Sequence, residues 1–389
     1  MLARLGLERM WVGQATLNIS RDKVDHISLD EEMIFVQSDS GLITAFDAER
    51  GDRLWATKLG RGDSEAFPAI ANENEVLVVT GAYLYSLNKR NGNTYWKLRL
   101  PGAPSTSPAL DDEHVFLGMV DGSIYAVNLA KARELYQEQR LPQWSSETID
   151  WRYQAFLEVT TQPVVASQVV NFASRGGSLY GVTARDHKLA FQLETEKAIV
   201  APLARWEDRL FVASEDFSVY SLNANNGKVY WEFLSSAPIR KAPIALDRDL
   251  FLAPERRGLF CLDLQTGELR WVRPEVESFA AATSDSVFAT DIERNLMRID
   301  RENGAIIGAI PMRSFPITLP NIVTDRIYLA TESGLVLALR QTGRTFPVYH
   351  QNPLRLPIVP MFAPEEEEAE AAPPAEGEPA PAATPDSTN

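Results

Sequence analysis

Four histidines and a single cysteine are the side chains of this sequence best suited to metal, nucleophilic or acid–base chemistry. His26, His114, His187 and His350 stand far apart. None has a second His or Cys at ligand spacing, so no zinc-type site is legible. An Asp-rich calcium loop, a Gly-rich phosphate loop and a Gly-x-Ser-x-Gly nucleophile elbow are equally absent from the sequence. Cys261 occupies a position that Ala45, Ser86, Ala126 and Ser221 hold in related segments. It reads as a small buried residue, and a lone cysteine allows no disulfide within the chain. Two groups of residues could instead carry binding. Trp144, Trp151, Tyr153 and Phe156 crowd one stretch, and Arg240, Lys241, Arg256 and Arg257 stand close together further on. Aromatic and arginine side chains commonly carry the energy of protein interfaces.

The elements that must position these residues repeat. Equivalent turn positions fall at Asp47, Asn88, Asn128, Thr183, Asn223, Asp263, Asp300 and Arg340. Eight residues after the first six come Trp55, Trp96, Tyr136, Phe191, Trp231 and Trp271. Four residues after most of them comes a glycine: Gly51, Gly92, Gly227, Gly267 and Gly304. A proline precedes most by about twenty residues, at Pro68, Pro108, Pro163, Pro202, Pro243 and Pro320. A period near forty with strand-type units marks a β-propeller, each repeat being one four-stranded blade. Eight repeats predict an all-β, eight-bladed propeller of antiparallel blades.

Local chemistry agrees with that architecture. Proline donates nothing to a strand ladder, which suits an innermost strand whose edge faces the channel. An Asx side chain bonds nearby backbone amides, and glycine takes positive φ, so both suit the turn between the third and fourth strands. The aromatic then opens the fourth strand and buries its area between blades. The pattern Ala45-x-Asp47-x-x-x-Gly51-x-x-x-Trp55, repeated as Cys261-x-Asp263-x-x-Thr266-Gly267-x-x-x-Trp271, resembles the tryptophan-docking motif of PQQ-type propellers. The resemblance covers about residues 10 to 350. In length and blade number the chain is most similar to the BamB-like propeller lipoprotein of the outer-membrane β-barrel assembly machinery.

That resemblance implies a non-catalytic scaffold that binds other proteins, in the cell envelope or in outer-membrane protein assembly, with no cofactor. Quinoprotein dehydrogenases of the superfamily are longer and typically use an adjacent-cysteine disulfide, calcium ligands and a catalytic Asp. One cysteine cannot supply that pair. Two other readings stay open: a PQQ- or quinone-dependent oxidoreductase, and a cytoplasmic sensor or regulatory propeller that binds a small molecule in its channel.

Charge and composition narrow the partners. Of the net charge of −15, eight units come from residues 363–389, which hold no Lys or Arg. Neither part offers the basic footprint that nucleic acid needs. No segment is long and apolar enough to span a membrane. The start, MLARLGLERMWVGQ, lacks the apolar core and cleavage site of a signal peptide. As written the expectation is a cytoplasmic monomer, or an envelope or periplasmic one if the true start lies upstream. The expected organisation is a propeller over 1–362 and a disordered Ala/Pro/Glu-rich acidic tail over 363–389.

Three irregularities carry further expectations. Trp11 lies ahead of the first repeat, and 345–350 is a weak outer strand, so 10–17 should complete blade eight and close the ring. The step of 55 between Asn128 and Thr183 exposes an insertion within 137–158. With Tyr136 in the outer strand, that insertion leads from blade three to the inner strand of blade four. It then emerges opposite the acidic turns at 30–32, 72–75 and 111–113, either as an interaction surface or as a small private core. The cations at 240–241 and 256–257 share its face. They form either a patch for a carboxylate-rich partner or the acidic tail, or a solvated loop paired with Glu255, Glu215 and Asp216.

Overall fold

The computed structural model describes residues 1–351 apart from 61, 63 and 142–144, so the expected tail at 363–389 lies outside the described residues. Its strands form eight four-stranded antiparallel sheets. The first seven occupy 24–58, 70–99, 109–154, 164–194, 204–234, 244–273 and 276–311, with spatial order following chain order. Second and third strands are sealed by neighbouring blades, which is why Met33–Ser38 and Glu75–Thr80 are buried at every position. Fourth strands alternate instead: in Thr94–Arg99, Trp96 and Leu98 point inward and their neighbours outward. The core is a circular series of clusters between adjacent blades, for example Phe35, Trp55 and Val78 between blades one and two.

Blade eight is built from both ends of the propeller. Strands within 317–341 supply three members and the N-terminal strand Leu7–Gln14 supplies the fourth, antiparallel to Leu335–Gln341 with Trp11 opposite Ala338. The closing strand expected at 10–17 is present and starts three residues earlier. Its Trp11 stacks on Phe46 and donates its indole N–H to the Ala48 carbonyl of blade one at 2.9 Å. The preceding 3₁₀ turn, Leu2–Leu5, covers blade seven, where Gly308 replaces the docking aromatic. Leu5 and Leu7 are buried there beside Phe288 and Ile310.

The repeated turn explains the repeated letters. The Oδ1 atoms of Asp47, Asn88, Asn223, Asp263 and Asp300 each accept two backbone N–H groups from the turn that follows. The glycine four residues on has φ between +71° and +76°. It meets a second demand, because the aromatic of the preceding blade lies flat against it. A Cβ on Gly267 would sit 2.6 Å from the Trp231 ring. The indole then donates to the carbonyl just after the next blade's turn anchor: Trp55 to Lys89 at 2.8 Å, Trp231 to Leu264 at 3.2 Å, Trp271 to Arg301 at 3.1 Å. Phe191 has no N–H and simply packs against Gly227.

Blade three departs from the expectation. Asn128 does not open a turn; its side chain accepts from the Lys131 amide and caps a helix, α1, over Leu129–Gln137. Tyr136 therefore lies on α1, partly exposed, and not in the fourth strand. The docking aromatic of this blade is Trp151, in the fourth strand Ile149–Gln154, which donates to the Ala184 carbonyl at 2.6 Å. The inserted residues thus join the third and fourth strands and lie on the face of the acidic turns, not opposite it. The sequence LAKARELYQ explains the displacement: after an Asx cap, helix formers free of glycine and proline continue as helix. One further result is local. Trp96 of blade two meets α1 where its counterparts meet a turn, and its buried indole N–H has no acceptor among the described residues.

Trp55→Phe should destabilise the protein by about 1 kcal/mol more than Trp96→Phe, because only the first leaves a buried carbonyl without its donor. Unfolding in guanidinium chloride measures both variants, and equal costs would count against the docking bond as a source of stability.

Candidate functional site

The two faces of the propeller use their charges differently. On the face of the first-to-second and third-to-fourth strand turns, the acidic residues do local work. Asp30, Asn72 and Asp111 each accept two backbone amides of their own turns. Ion pairs on this face join neighbouring blades: Lys89 to Asp30 at 2.7 Å, Arg133 to Glu75 at 2.6 Å, Arg301 to Asp249 at 2.6 Å, and Arg326 to Glu49 at 3.0 Å. Asp249, completely buried, also pairs with Arg270 at 2.7 Å. Removing one partner of such a pair strands a buried charge, so these groups act as ties between blades.

Residues 345–351 belong to this face as well. They are not an outer strand of blade eight but a strap over the inner turns. Arg326 donates to the Thr345 carbonyl, Asp325 accepts from the Val348 amide at 3.0 Å, and His350 donates its amide to Val323 at 3.0 Å. The His350 ring is 5% exposed and its Nδ1 lies 3.9 Å from Asp247 of blade six. Burial holds the imidazole below the usual histidine pKa; the Arg301 charge adds to this, while Asp247 and Asp325 oppose it.

The opposite face, of the second-to-third turns and the blade-to-blade connections, presents apolar tips and cations. Phe156 and Leu157, at the end of the notable aromatic stretch, are 68% and 49% exposed. The Phe156 amide bonds the Tyr180 hydroxyl at 3.3 Å, while partly buried Tyr153 packs on Phe172 and Tyr180 beneath. Val120 and Ile292 project from second-to-third turns of blades three and seven and are also exposed. The cations divide. Arg240 is held by Glu215 at 2.9 Å and Glu255 at 2.6 Å. Lys241 donates to the Glu277 carbonyl and the Ser278 hydroxyl. Arg256 and Arg257 stand exposed on a turn, Arg256 with φ +57°, and among the described residues neither has a carboxylate within 4 Å. A groove of about 660 Å³ runs beside them, lined by Arg240, Lys241, Glu255, Arg256, Glu277 and Ile292.

The structure therefore gathers Phe156 and the four cations on one face. Trp151 is in the core, and Trp144 lies outside the described residues. Leu157, Val120 and Ile292 were not legible as site residues, because a single apolar residue in a turn has no periodic signal. Elsewhere the reactive side chains are committed to structure. His26 bonds the Ala66 carbonyl and His114 bonds Asp150, both at 2.8 Å. Cys261 is buried, and burial together with the nearby Asp249 charge pushes its thiol pKa up, away from thiolate chemistry. Among the described residues no group of three His, Cys, Asp or Glu could hold a metal ion.

Comparison with known proteins adds to this geometry. The sequence matches the family described as outer membrane protein assembly factor BamB over residues 39–190, 143–309 and 191–346. The protein of that name from Shewanella oneidensis is 24% identical over 322 residues, covering 79% of this chain and 69% of the relative. That from Yersinia pestis is 21% identical over 257 residues, covering 64% and 61%. A tetrathionate hydrolase of Acidithiobacillus ferrooxidans is 31% identical over 94 residues, covering 23% of this chain and 19% of the enzyme. The crystal structure of BamB from Moraxella catarrhalis superposes with a TM-score of 0.67 at 13% identity, covering 87% of this chain and 98% of that one.

The strap has a pH signature. An imidazole with a depressed folded pKa is neutral in both states at high pH. As pH falls through the ordinary histidine range, the unfolded chain takes up the proton first, so stability declines. The loss of melting temperature between pH 7.5 and pH 5.5 should be smaller in His350→Gln than in the parent. Identical losses would show that His350 titrates freely.

Proposed function

The chain belongs to the outer membrane protein assembly factor BamB family, and on that premise we propose that it is a non-catalytic docking scaffold for outer-membrane protein assembly. The observation that carries this reading is the asymmetry of the two faces. One is tied together by buried and inter-blade ion pairs and crossed by a strap. The other offers Phe156, Leu157, Val120 and Ile292 with Arg256 and Arg257, which have no carboxylate within 4 Å among the described residues, on loops held by rigid blades. Binding residues on loops over a rigid scaffold lose little conformational entropy on docking.

In this reading the protein acts as a monomer inside a larger assembly, and its partner is another protein. Phe156 and Leu157 enter an apolar recess of that partner, while Arg256 and Arg257 steer its carboxylates and set the approach. The propeller is the docking body in this reading. The similarity to tetrathionate hydrolase spans little more than two repeats. A match to 19% of that enzyme is too short to carry its activity to this chain.

Affinity purification of the full chain from its native host tests the proposal, with mass spectrometry of the recovered proteins. Phe156→Asp with Leu157→Asp, and separately Arg256→Glu with Arg257→Glu, should each lower recovery of outer-membrane assembly components at least about tenfold, the loss expected of a hot spot. Both pairs are exposed, so the melting temperature should hold. Undiminished recovery with folded variants would remove this face as the docking surface. Trp151→Ala is unsuitable as a probe, because that ring docks blade three on blade four.

A further inference from the structure

A second site, which meets the loop face only at its rim, lies inside the ring. A cavity of about 700 Å³ opens along the inner strands of blades four to eight. Pockets of this size lined by apolar side chains with a few placed polar groups are the usual form of small-molecule sites. Val164, Leu203, Ile244, Phe251, Phe279 and Ile322 contribute to its wall, and the rings of Phe251 and Phe279 pack with centroids 5.2 Å apart. An inner strand normally turns a row of backbone N–H groups toward the channel. Pro202, Pro243 and Pro320, all in this lining, have none, so the wall is less polar than a free sheet edge.

The charged groups that line the cavity are cationic. Lys241 stands at the rim on the loop face. Its ammonium is fixed by the Glu277 carbonyl at 2.8 Å and the Ser278 hydroxyl at 3.1 Å. An ammonium has three N–H donors, so this one keeps a donor for a ligand. Neighbouring Arg240 is neutralised by Glu215 and Glu255. Toward the other end, beside Gln351, Arg205 gives its N–H groups to the carbonyls of Val165 and Glu207. Among the described residues neither Lys241 nor Arg205 has a carboxylate within 4 Å. Lys241 and Arg205 thus offer cationic donors, without a carboxylate within 4 Å among the described residues, at the two ends of a largely apolar cavity. A neutral guest would leave that charge unused and a cationic guest would be repelled.

We propose that the channel binds a small amphipathic anion, a single carboxylate on an unbranched apolar chain. The carboxylate takes the remaining donor of Lys241, and the chain lies against the Phe251–Phe279 wall. This does not depend on docking at the outer loops, since the lining and the exposed loop tips are different residues apart from the rim.

Isothermal titration of the full chain with decanoate, decanol and decyltrimethylammonium, all below micelle formation, tests the assignment. Decanoate should bind one to one and saturate, decanol at least about tenfold more weakly, as loss of a charge-assisted hydrogen bond implies. The ammonium should not bind. Lys241→Met should bring decanoate to the level of decanol. Ala242→Trp, at an exposed lining position, should abolish binding while leaving the melting temperature unchanged. Equal affinity for all three probes, no saturable decanoate binding, or binding indifferent to Ala242→Trp would overturn the proposal. So would an apolar hexapeptide with a free C-terminus that binds where decanoate does not, since the guest would then be a peptide.

Discussion

The structure depends on a contact repeated around the ring: an aromatic side chain of one blade laid on a glycine turn of the next. Where the aromatic is tryptophan, the contact usually combines apolar burial with a hydrogen bond to a carbonyl of the next blade. It also constrains two residues of the receiving blade at once. The turn needs positive φ, and the ring needs the space a Cβ would take, so glycine answers both. Because most blades supply an aromatic to the following one and receive one from the preceding blade, the order of blades is written into local geometry. Blade one can receive its ring only from the strand that the chain's beginning adds to blade eight. Trp11 on Leu7–Gln14 provides it, and the same strand covers what would be an open sheet edge.

Where the contact is modified, the molecule compensates nearby. Blade seven carries Gly308 in place of the ring, and the 3₁₀ turn with Leu5 and Leu7 fills the space. Gly343 correspondingly has nothing within 4 Å of where its Cβ would stand. Blade three replaces the turn by helix α1, and the indole of Trp96 has no acceptor among the described residues. In blade four His187 occupies the glycine position, with φ +48°, against the Trp151 ring. These departures leave the four-stranded sheets intact, because the ladder and the burial of second and third strands do not need the docking bond.

The same construction separates stability from recognition. Turns on one face must hold adjacent blades together, and their charges are used by Asx turns and inter-blade pairs. Loops on the other face are joined more sparsely, as where Arg240 pairs with Glu215 of blade five and Glu255 of blade six. That is where exposed apolar residues and unpaired arginines remain, and the channel between the inner strands gathers a different set, apolar walls with cationic ends.

Fold class, blade number and ring closure were legible in the sequence because they rest on local rules that recur: Asx, then glycine, then aromatic at fixed spacing, with proline ahead of the inner strand. Repetition lets eight weak signals add. A pattern of that kind fails where a single copy obeys another local rule, as at Asn128, where an Asx residue serves equally as a turn anchor and as a helix cap. Tyr136 at the right spacing was then the wrong aromatic, and only the pairing of Ile149–Gln154 with its sheet identified Trp151. The candidate sites were less legible still. Tertiary structure decided that Arg240 is neutralised while Lys241, Arg256 and Arg257 are not, that Phe156 is exposed while Trp151 is buried, and that 345–351 lies over turns far away in sequence. Each is settled by which groups meet across blades, and a pairing between distant residues leaves no trace in spacing.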